Sequence, residues 1–241
     1  MPKLENILLV GASGRMGNCV QTLAQERGIS IQKCTTRPCV QLPSPWPSDV
    51  SVVIDFSCDS VIGQMVAKLL ERRPPFPPLV VGTTGLSNDT MESIKLYTQR
   101  AACLVASNFS LGIAILRACV RLAAAKLPDA FEAEIIEIHH RHKRDIPSGT
   151  AQSLLNDIRD AQMLSHGASG ETTPESVKIH SLRMASVVGE HQVILAGPGE
   201  QLRLVHQAEN RSVFAHGAFH AAQWICGQNP GLYHMEDVFG I

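Results

Sequence analysis

Two rhythms of apolar residues alternate along the first part of this chain. Leu4 to Val10 is a short, nearly continuous apolar run that stops at Gly11. Met16, Val20 and Leu23 then recur at helical spacing. Ile29 to Cys34 predicts a second strand, and Ser51 to Phe56 a third whose apolar continuity suits a parallel strand buried on both faces. Val61, Met65 and Leu69 mark a helix over 61–71. Leu79 to Thr83 predicts a strand, Met91 to Arg100 a helix and Ala102 to Ala106 a further strand. Strand and helix in alternation imply a doubly wound, Rossmann-like α/β domain with a parallel sheet.

Beyond residue 110 the pattern changes. Ser110 can cap a helix to about Leu127, with Ile115, Cys119 and Leu122 along one face. Glu132 to His139 is strand-like, and Ser148 opens a helix through Leu154 and Ile158. After the polar loop Gly167 to Pro174 come three strand candidates, 177–183, 190–196 and 201–208, the last two joined by a Gly197-Pro-Gly199 turn. Strands grouped beside separate helices indicate an α+β open-sheet domain. Phe214 to Gly227 is helical again. The expected division is a dinucleotide-binding domain over 1–110 and 210–241, and a substrate-binding and oligomerisation domain over 111–209. Two proline-rich connections, around Pro38 to Pro47 and Pro74 to Pro78, predict rigid surface loops.

Composition narrows the function classes. A 44% hydrophobic chain of 241 residues supports a packed core. A formal net charge of −1 gives no global pull toward nucleic acid or an anionic membrane. The sequence has no apolar stretch long enough for a membrane span and no apolar signal run after Met1. The seven cysteines form no Cys-x-x-Cys pair and predict reduced, buried thiols in a cytoplasmic protein.

Candidate chemistry begins at Gly11-Ala-Ser-Gly-Arg-Met-Gly17, between the first strand and the first helix. Glycines there permit a tight turn and let backbone N–H groups approach a pyrophosphate at the helix start. The spacing is Gly-x-x-Gly-x-x-Gly, so the assignment leans on its βαβ context. The end of the second strand reads Lys33-Cys-Thr-Thr-Arg37, with no acidic residue to hold a ribose 2′-hydroxyl. Lys33 and Arg37 could instead meet a 2′-phosphate, which favours NADPH over NADH. Gly82-Thr-Thr-Gly85 and Ser107-Asn-Phe-Ser110 follow two further strands, where open α/β sheets bind ligands.

The densest chemistry lies in Glu137-Ile-His-His-Arg-His-Lys-Arg-Asp-Ile-Pro-Ser-Gly-Thr150. A metal site is disfavoured: adjacent His139 and His140 point to opposite faces of a strand, and Lys143 and Arg144 repel a cation. A nucleic-acid patch would need wider basic surface and more than 5% aromatics. An acid/base and anion site explains the segment better. Imidazole titrates near neutrality, lysine supplies a proton or a charge, and Ser148, Gly149 and Thr150 offer donors to a carboxylate at a helix start.

These motifs, with Ala106-Ser-Asn-Phe-Ser110, Val188-Gly-Glu-His191 and Arg211-Ser-Val-Phe-Ala-His-Gly-Ala218, closely resemble the 4-hydroxy-tetrahydrodipicolinate reductase (dihydrodipicolinate reductase) family. The resemblance covers nearly the whole chain in order. It implies NADPH- or NADH-dependent reduction of a cyclic imine dicarboxylate with loss of water, in diaminopimelate and lysine biosynthesis, by a homotetramer. It implies His139 as proton donor or acceptor, Lys143 as general acid, His140 as a substrate contact, and Gly149 and Thr150 as carboxylate donors. It places the cofactor along Gly11, Ala12, Ser13, Gly14, Arg15, Met16, Gly82, Thr83, Thr84, Ala106, Ser107, Asn108 and Phe109. Thr36 stands where relatives often carry an acidic residue, and the connection from Arg37 to Val50 looks shorter than usual. Two alternatives stay open: another imine or carbonyl reductase of this architecture, and a nucleotide-binding protein without catalysis.

Overall fold

The structure, a computed structural model, describes residues 4–34, 49–166 and 177–240. In chain order the elements are β1 (Asn6–Val10), α1 (Arg15–Glu26), β2 (Ser30–Lys33), β3 (Val52–Asp55), α2 (Asp59–Leu70), β4 (Leu79–Val81), α3 (Asn88–Thr98) and β5 (Ala102–Val105). There follow α4 (Leu111–Lys126), β6 (Glu132–His139), α5 (Gly149–His166), β7 (Lys178–Arg183), β8 (Gly189–Gly197) and β9 (Glu200–Ala208). The chain ends with α6 (Ser212–Ile225), β10 (Gly231–Tyr233) and α7 (Met235–Phe239). It forms two compact units, Met1–Leu111 with Arg211–Ile241, and Gly112–Asn210.

The first unit holds a six-stranded sheet in the order β10-β5-β4-β3-β1-β2, with every pair parallel. The strands β1, β3 and β4 are buried along their whole length, as continuous apolar runs require. Leu8, Val10, Val53, Leu79 and Val81 pack with Ile62, Met65, Val66 and Leu69 of α2 and with Ile94 and Tyr97 of α3. Helix α6 has small residues at most of its buried positions, Ala215, Gly217, Ala218, Ala221 and Ala222. They allow a very close approach: a Cβ on Gly217 would lie 1.6 Å from the Phe109 carbonyl oxygen. Neither β10 nor α7 was foreseen; three residues of mixed burial carry too little periodicity to show a strand.

The second unit holds a four-stranded mixed sheet in the order β7-β6-β8-β9. Here β6 pairs in parallel with β7, and the β6/β8 and β8/β9 pairs are antiparallel. One face is covered by Ile113, Leu116, Val120 and Ala124 of α4 and by Leu154, Leu155 and Ile158 of α5. Each such buried Val, Leu or Ile side chain contributes roughly 1.5–3 kcal/mol. The buried Asp157 joins the two helices, taking Arg117 Nε at 2.6 Å and Arg121 at 3.3 Å. The other face is open, and leaves Leu182 and Val205 exposed.

Two expectations need correction. The α4 face bearing Ile115, Cys119 and Leu122 is exposed, and the Ile113–Leu116–Val120–Ala124 face packs instead. An apolar helix offers several apolar stripes, and only its partners choose among them. The cysteines are not uniformly buried: Cys34 and Cys103 are, Cys58 and Cys119 are exposed. Arg37, Thr36, Cys39, the first proline-rich connection and the 167–174 loop lie outside the described residues.

Candidate active site

In the first sheet β2 and β3 flank β1, so the chain reverses its direction of winding there. A parallel sheet opens a crevice at the carboxyl ends of its strands at such a point. The Gly11 turn sits in that position. Gly11 has φ +78, and a Cβ on it would lie 2.3 Å from the Phe56 carbonyl oxygen at the end of β3. A Cβ on Gly17 would lie 2.3 Å from the Gly11 carbonyl oxygen, so this glycine lets α1 seat against the turn. Gly14 is the exposed middle glycine and caps α1 with no side-chain hydrogen bond. The first-turn N–H groups of a twelve-residue helix are therefore not taken by a capping side chain. This bare, glycine-lined helix start fits a pyrophosphate.

The neighbouring loops are tied to this turn from below. Asp55, the last residue of β3, is 1% exposed. It accepts hydrogen bonds from the Thr83 hydroxyl at 2.6 Å and from the Ser57 hydroxyl. Thr83 Oγ1 in turn accepts the Ser57 N–H at 3.0 Å. Burial pushes the Asp55 carboxyl up to about 6, against the pull of these hydrogen bonds. Thr83 and Phe109 are buried, and Phe109 meets Phe56 edge-on at 5.5 Å. Thr84 and Ser107 are exposed, while Asn108 holds the Ser110 N–H at 2.8 Å. Among the expected cofactor residues, Thr83 and Phe109 thus underpin the edge that Gly14, Thr84 and Ser107 present. Lys33 is exposed at the end of β2.

In the second sheet the covered face changes character along β6. Its inward residues run Ala133, Ile135, Glu137, His139: apolar, then titratable. Register explains what gathers at the polar end. Pairing of β6 with β8 sets Glu137 opposite His191, and pairing with β7 sets Glu137 opposite Ser181 and His139 opposite Arg183. The result is a buried network. Glu137 is fully buried and bonds His139 Nδ1 through Oε2. Its Oε1 accepts from Arg183 Nη2 at 2.9 Å. The His139 and His191 rings meet edge to face at 5.1 Å. Ser148 Oγ lies 3.1 Å from His191 Nε2 and accepts the Ala151 N–H at 3.2 Å, capping α5. The start of α5 is thereby fastened to β8, with Gly149 exposed and Thr150 buried beside it.

Lys143 sits on the loop between β6 and α5, and its Nζ meets Asp145 Oδ2 at 2.7 Å. His140 is half-buried, and its ring stands 6.4 Å from that of His142. The electrostatics follow from burial. Burial lowers the His139 pKa, Glu137 partly restores it, and Lys143 and Arg183 depress it further. His191 is pushed down to about 3, by burial first and then by His139. Burial alone would raise the Glu137 carboxyl, yet hydrogen bonds from Arg183, Ser181 and His139 hold it below the usual carboxylate range. Glu137, His139 and His191 offer ligand atoms within 4.8 Å of one another, a spacing a metal ion could use. The donor chemistry argues otherwise, because Arg183 and His139 already occupy both Glu137 oxygens and Lys143 adds positive charge.

Comparison with known proteins finds one family along nearly the whole chain. Residues 5–109 match the model of the dihydrodipicolinate reductase N-terminus, and residues 112–239 that of its C-terminus. The chain belongs to the dihydrodipicolinate reductase family. It is a family of NAD(P)H-dependent oxidoreductases. A 4-hydroxy-tetrahydrodipicolinate reductase of Zymomonas mobilis is 36% identical over 249 residues, covering 97% of this chain and 96% of that protein. One from Akkermansia muciniphila is 37% identical over 245 residues and covers 98% of each. Among solved structures, a dipicolinate-bound dihydrodipicolinate reductase from Paenisporosarcina sp. TG-14 shares the fold. Its TM-score is 0.74 at 21% identity, over 98% of this chain and 99% of that one.

Sequence reasoning assigned no part to Glu137, Ser181, Arg183, His191 or the Asp55–Ser57–Thr83 network. Glu137 carried a local signal, since it shares a strand face with His139 two residues on. His191 stood in a motif of the family resemblance but had no role there, and Arg183 carried no signal, because only strand register brings the two to the site.

Proposed function

We propose that the chain reduces 4-hydroxy-tetrahydrodipicolinate to tetrahydrodipicolinate, with loss of the 4-hydroxyl as water, in diaminopimelate and lysine biosynthesis. The observation behind this reading is the polar end of the mixed sheet. His139, Lys143 and the start of α5 converge there, in a chain that matches the reductase family almost end to end. Gly11 to Met16, Gly82 to Thr84 and Ala106 to Phe109 form the cofactor edge, with Arg37 for a 2′-phosphate. NADPH is the preferred partner because the exposed end of β2 is basic and carries no acid. When bound, the nicotinamide supplies a hydride.

The chain's own residues supply the rest. Hydride arrival at a conjugated imine leaves an electron-rich enamine that needs a proton. Lys143, paired with Asp145, can stabilise the developing charge and deliver that proton. His139 donates or accepts at the same end of the sheet, and His140 contacts the substrate. Gly149 and Thr150 offer backbone and hydroxyl donors to one substrate carboxylate. Ser148 serves the same anion site from beneath, as the cap that orients α5. The open face of the sheet, with Leu182 and Val205 exposed, suits association of four copies of the chain. No helix among the described residues is long and apolar enough to cross a membrane, and we place the enzyme in the cytoplasm.

Steady-state kinetics on freshly generated substrate tests this reading. Lys143→Ala should lower kcat by about 10²–10⁴-fold while leaving NADPH affinity intact. Pyridine-2,6-dicarboxylate should compete with substrate. Near-normal turnover in the variant would remove Lys143 from its role. Absence of NADPH oxidation by the unaltered chain would leave a nucleotide-binding protein, and turnover of other imines without dicarboxylate inhibition would indicate a different reductase.

A further inference from the structure

Glu137 and Arg183 are assigned no step of the chemistry, yet both are bonded into the site. Glu137 is an acceptor on both oxygens, so the Nδ1 of His139 that meets it must carry the hydrogen. The other nitrogen, Nε2, then holds the free lone pair in the neutral ring. The Gly189 backbone lies beside it, where a Cβ would come within 3.1 Å of Nε2. Arg183 extends the arrangement. Its Nη2 donates to Glu137 and, at 2.7 Å, to the Asp145 carbonyl, while its Nε reaches the Lys143 carbonyl at 3.4 Å. One planar guanidinium therefore ties the Glu137–His139 pair to the loop that carries Lys143. A lysine, with a single charged nitrogen, could not span those acceptors in the same way.

We propose that Glu137 and Arg183 are positioning residues: Glu137 fixes His139 as the Nδ1–H tautomer with Nε2 as its working nitrogen, and Arg183 locks this pair to the Lys143 backbone. The proposal rests on the reading of His139 and Lys143 as the proton-handling groups. The charged and titratable groups facing His139 are Glu137, Lys143, Asp145, Arg183 and His191. Glu137 raises its proton affinity and Arg183 lowers it, so removing either charge should move the His139 titration in opposite directions.

Histidine-labelled ¹⁵N NMR on the full chain reads tautomer and titration without needing turnover, and kinetics follow on the same samples. In the unaltered protein His139 should be the Nδ1–H tautomer. Glu137→Gln should mix the tautomers, move the titration to lower pH and cut kcat by about 10²-fold, with NADPH affinity held within about twofold. Arg183→Met should move the titration to higher pH. Arg183→Lys, which keeps the charge and loses the fork, should leave tautomer and titration in place but cut kcat by about tenfold. Glu137→Asp should recover part of what Glu137→Gln loses. An Nε2–H tautomer in the unaltered protein, or a titration that Glu137→Gln leaves unmoved, overturns the proposal. If Glu137→Gln does not fold, the unaltered tautomer and the Arg183→Lys kinetics decide it. If the tautomer depends on Glu137 as stated but the unaltered chain does not reduce the substrate, the positioning stands and the assigned reaction falls.

Discussion

At the carboxyl edge of the parallel sheet, chemistry is presented by backbone. Gly11, Gly14 and Gly17 clear space around a helix start, and a single buried acid, Asp55, knits the supporting loops from beneath. At the polar end of the mixed sheet, chemistry is presented by side chains from three strands and a loop, held by a buried carboxylate and a guanidinium. The first kind of site is intolerant of added volume at its glycines. The second depends on charge balance and on register. The two should also answer to pH with opposite sign, because one buries an acid and the other buries imidazoles.

The largest test of that contrast lies in His191. Its proton affinity falls from an ordinary 6.5 to about 3 on folding. The neutral ring is therefore favoured in the fold, and stability is lost as pH falls below the unfolded value. At about 1.4 kcal/mol per tenfold change in affinity the whole effect is about 5 kcal/mol. About 3 kcal/mol of it should be seen between about pH 6.5 and pH 4, as a loss of urea stability relative to His191→Gln. An equal pH slope in both proteins would show that the mixed sheet does not bury its imidazole in this way.

Asp55 should show the reverse. Its carboxyl is raised from 3.8 to about 6 in the fold, so the buried site favours the protonated form. Stability contributed by that preference is present at low pH and lost as pH rises through the folded value. The loss relative to Asp55→Asn should reach about 3 kcal/mol between about pH 4 and pH 7. The same variant should weaken NADPH binding, because Ser57 and Thr83 donate to different Asp55 oxygens and an amide replaces one of these with a donor. A flat difference across this range would mean that the two hydroxyl donors fully offset burial.

The smallest effect probes where the two designs overlap. Gly189 is the mixed sheet's counterpart of Gly11, a backbone position that keeps space open, here before His139 Nε2. Gly189→Ala adds a Cβ at 3.1 Å from Nε2 and 3.3 Å from Cδ2 of a ring that Glu137 prevents from yielding. It should lower kcat about tenfold, or about 1.4 kcal/mol in barrier, with little change in NADPH affinity. Unchanged kcat would place the working side of the imidazole elsewhere.

How legible each region was follows from the range of its contacts. The Gly11 turn, the strand before it and the helix after it are written in adjacent residues, and the expected elements of this unit match the structure to within a few residues. Glu132–His139 coincides with β6, and Ser148 caps α5 as its position suggested. The α4 face was misjudged because Ile115, Cys119 and Leu122 are as regularly spaced as the residues that pack. Arg183 and His191 lie far from His139 in sequence, and their approach depends on which strands pair and in what register.

By itself, then, the sequence determined the two classes of fold, the glycine-lined helix start and the basic segment with His139 and Lys143. These depend on local periodicity, on turn chemistry and on residue type, all of which act over a few residues. Only the tertiary structure decided that Glu137 is fully buried, that Arg183 binds it, that His191 stays neutral and that Asp55 underlies the glycine edge. Burial and strand register are non-local. They convert ordinary titratable side chains into groups with one tautomer and one charge, and that conversion is what a linear pattern of residues does not contain.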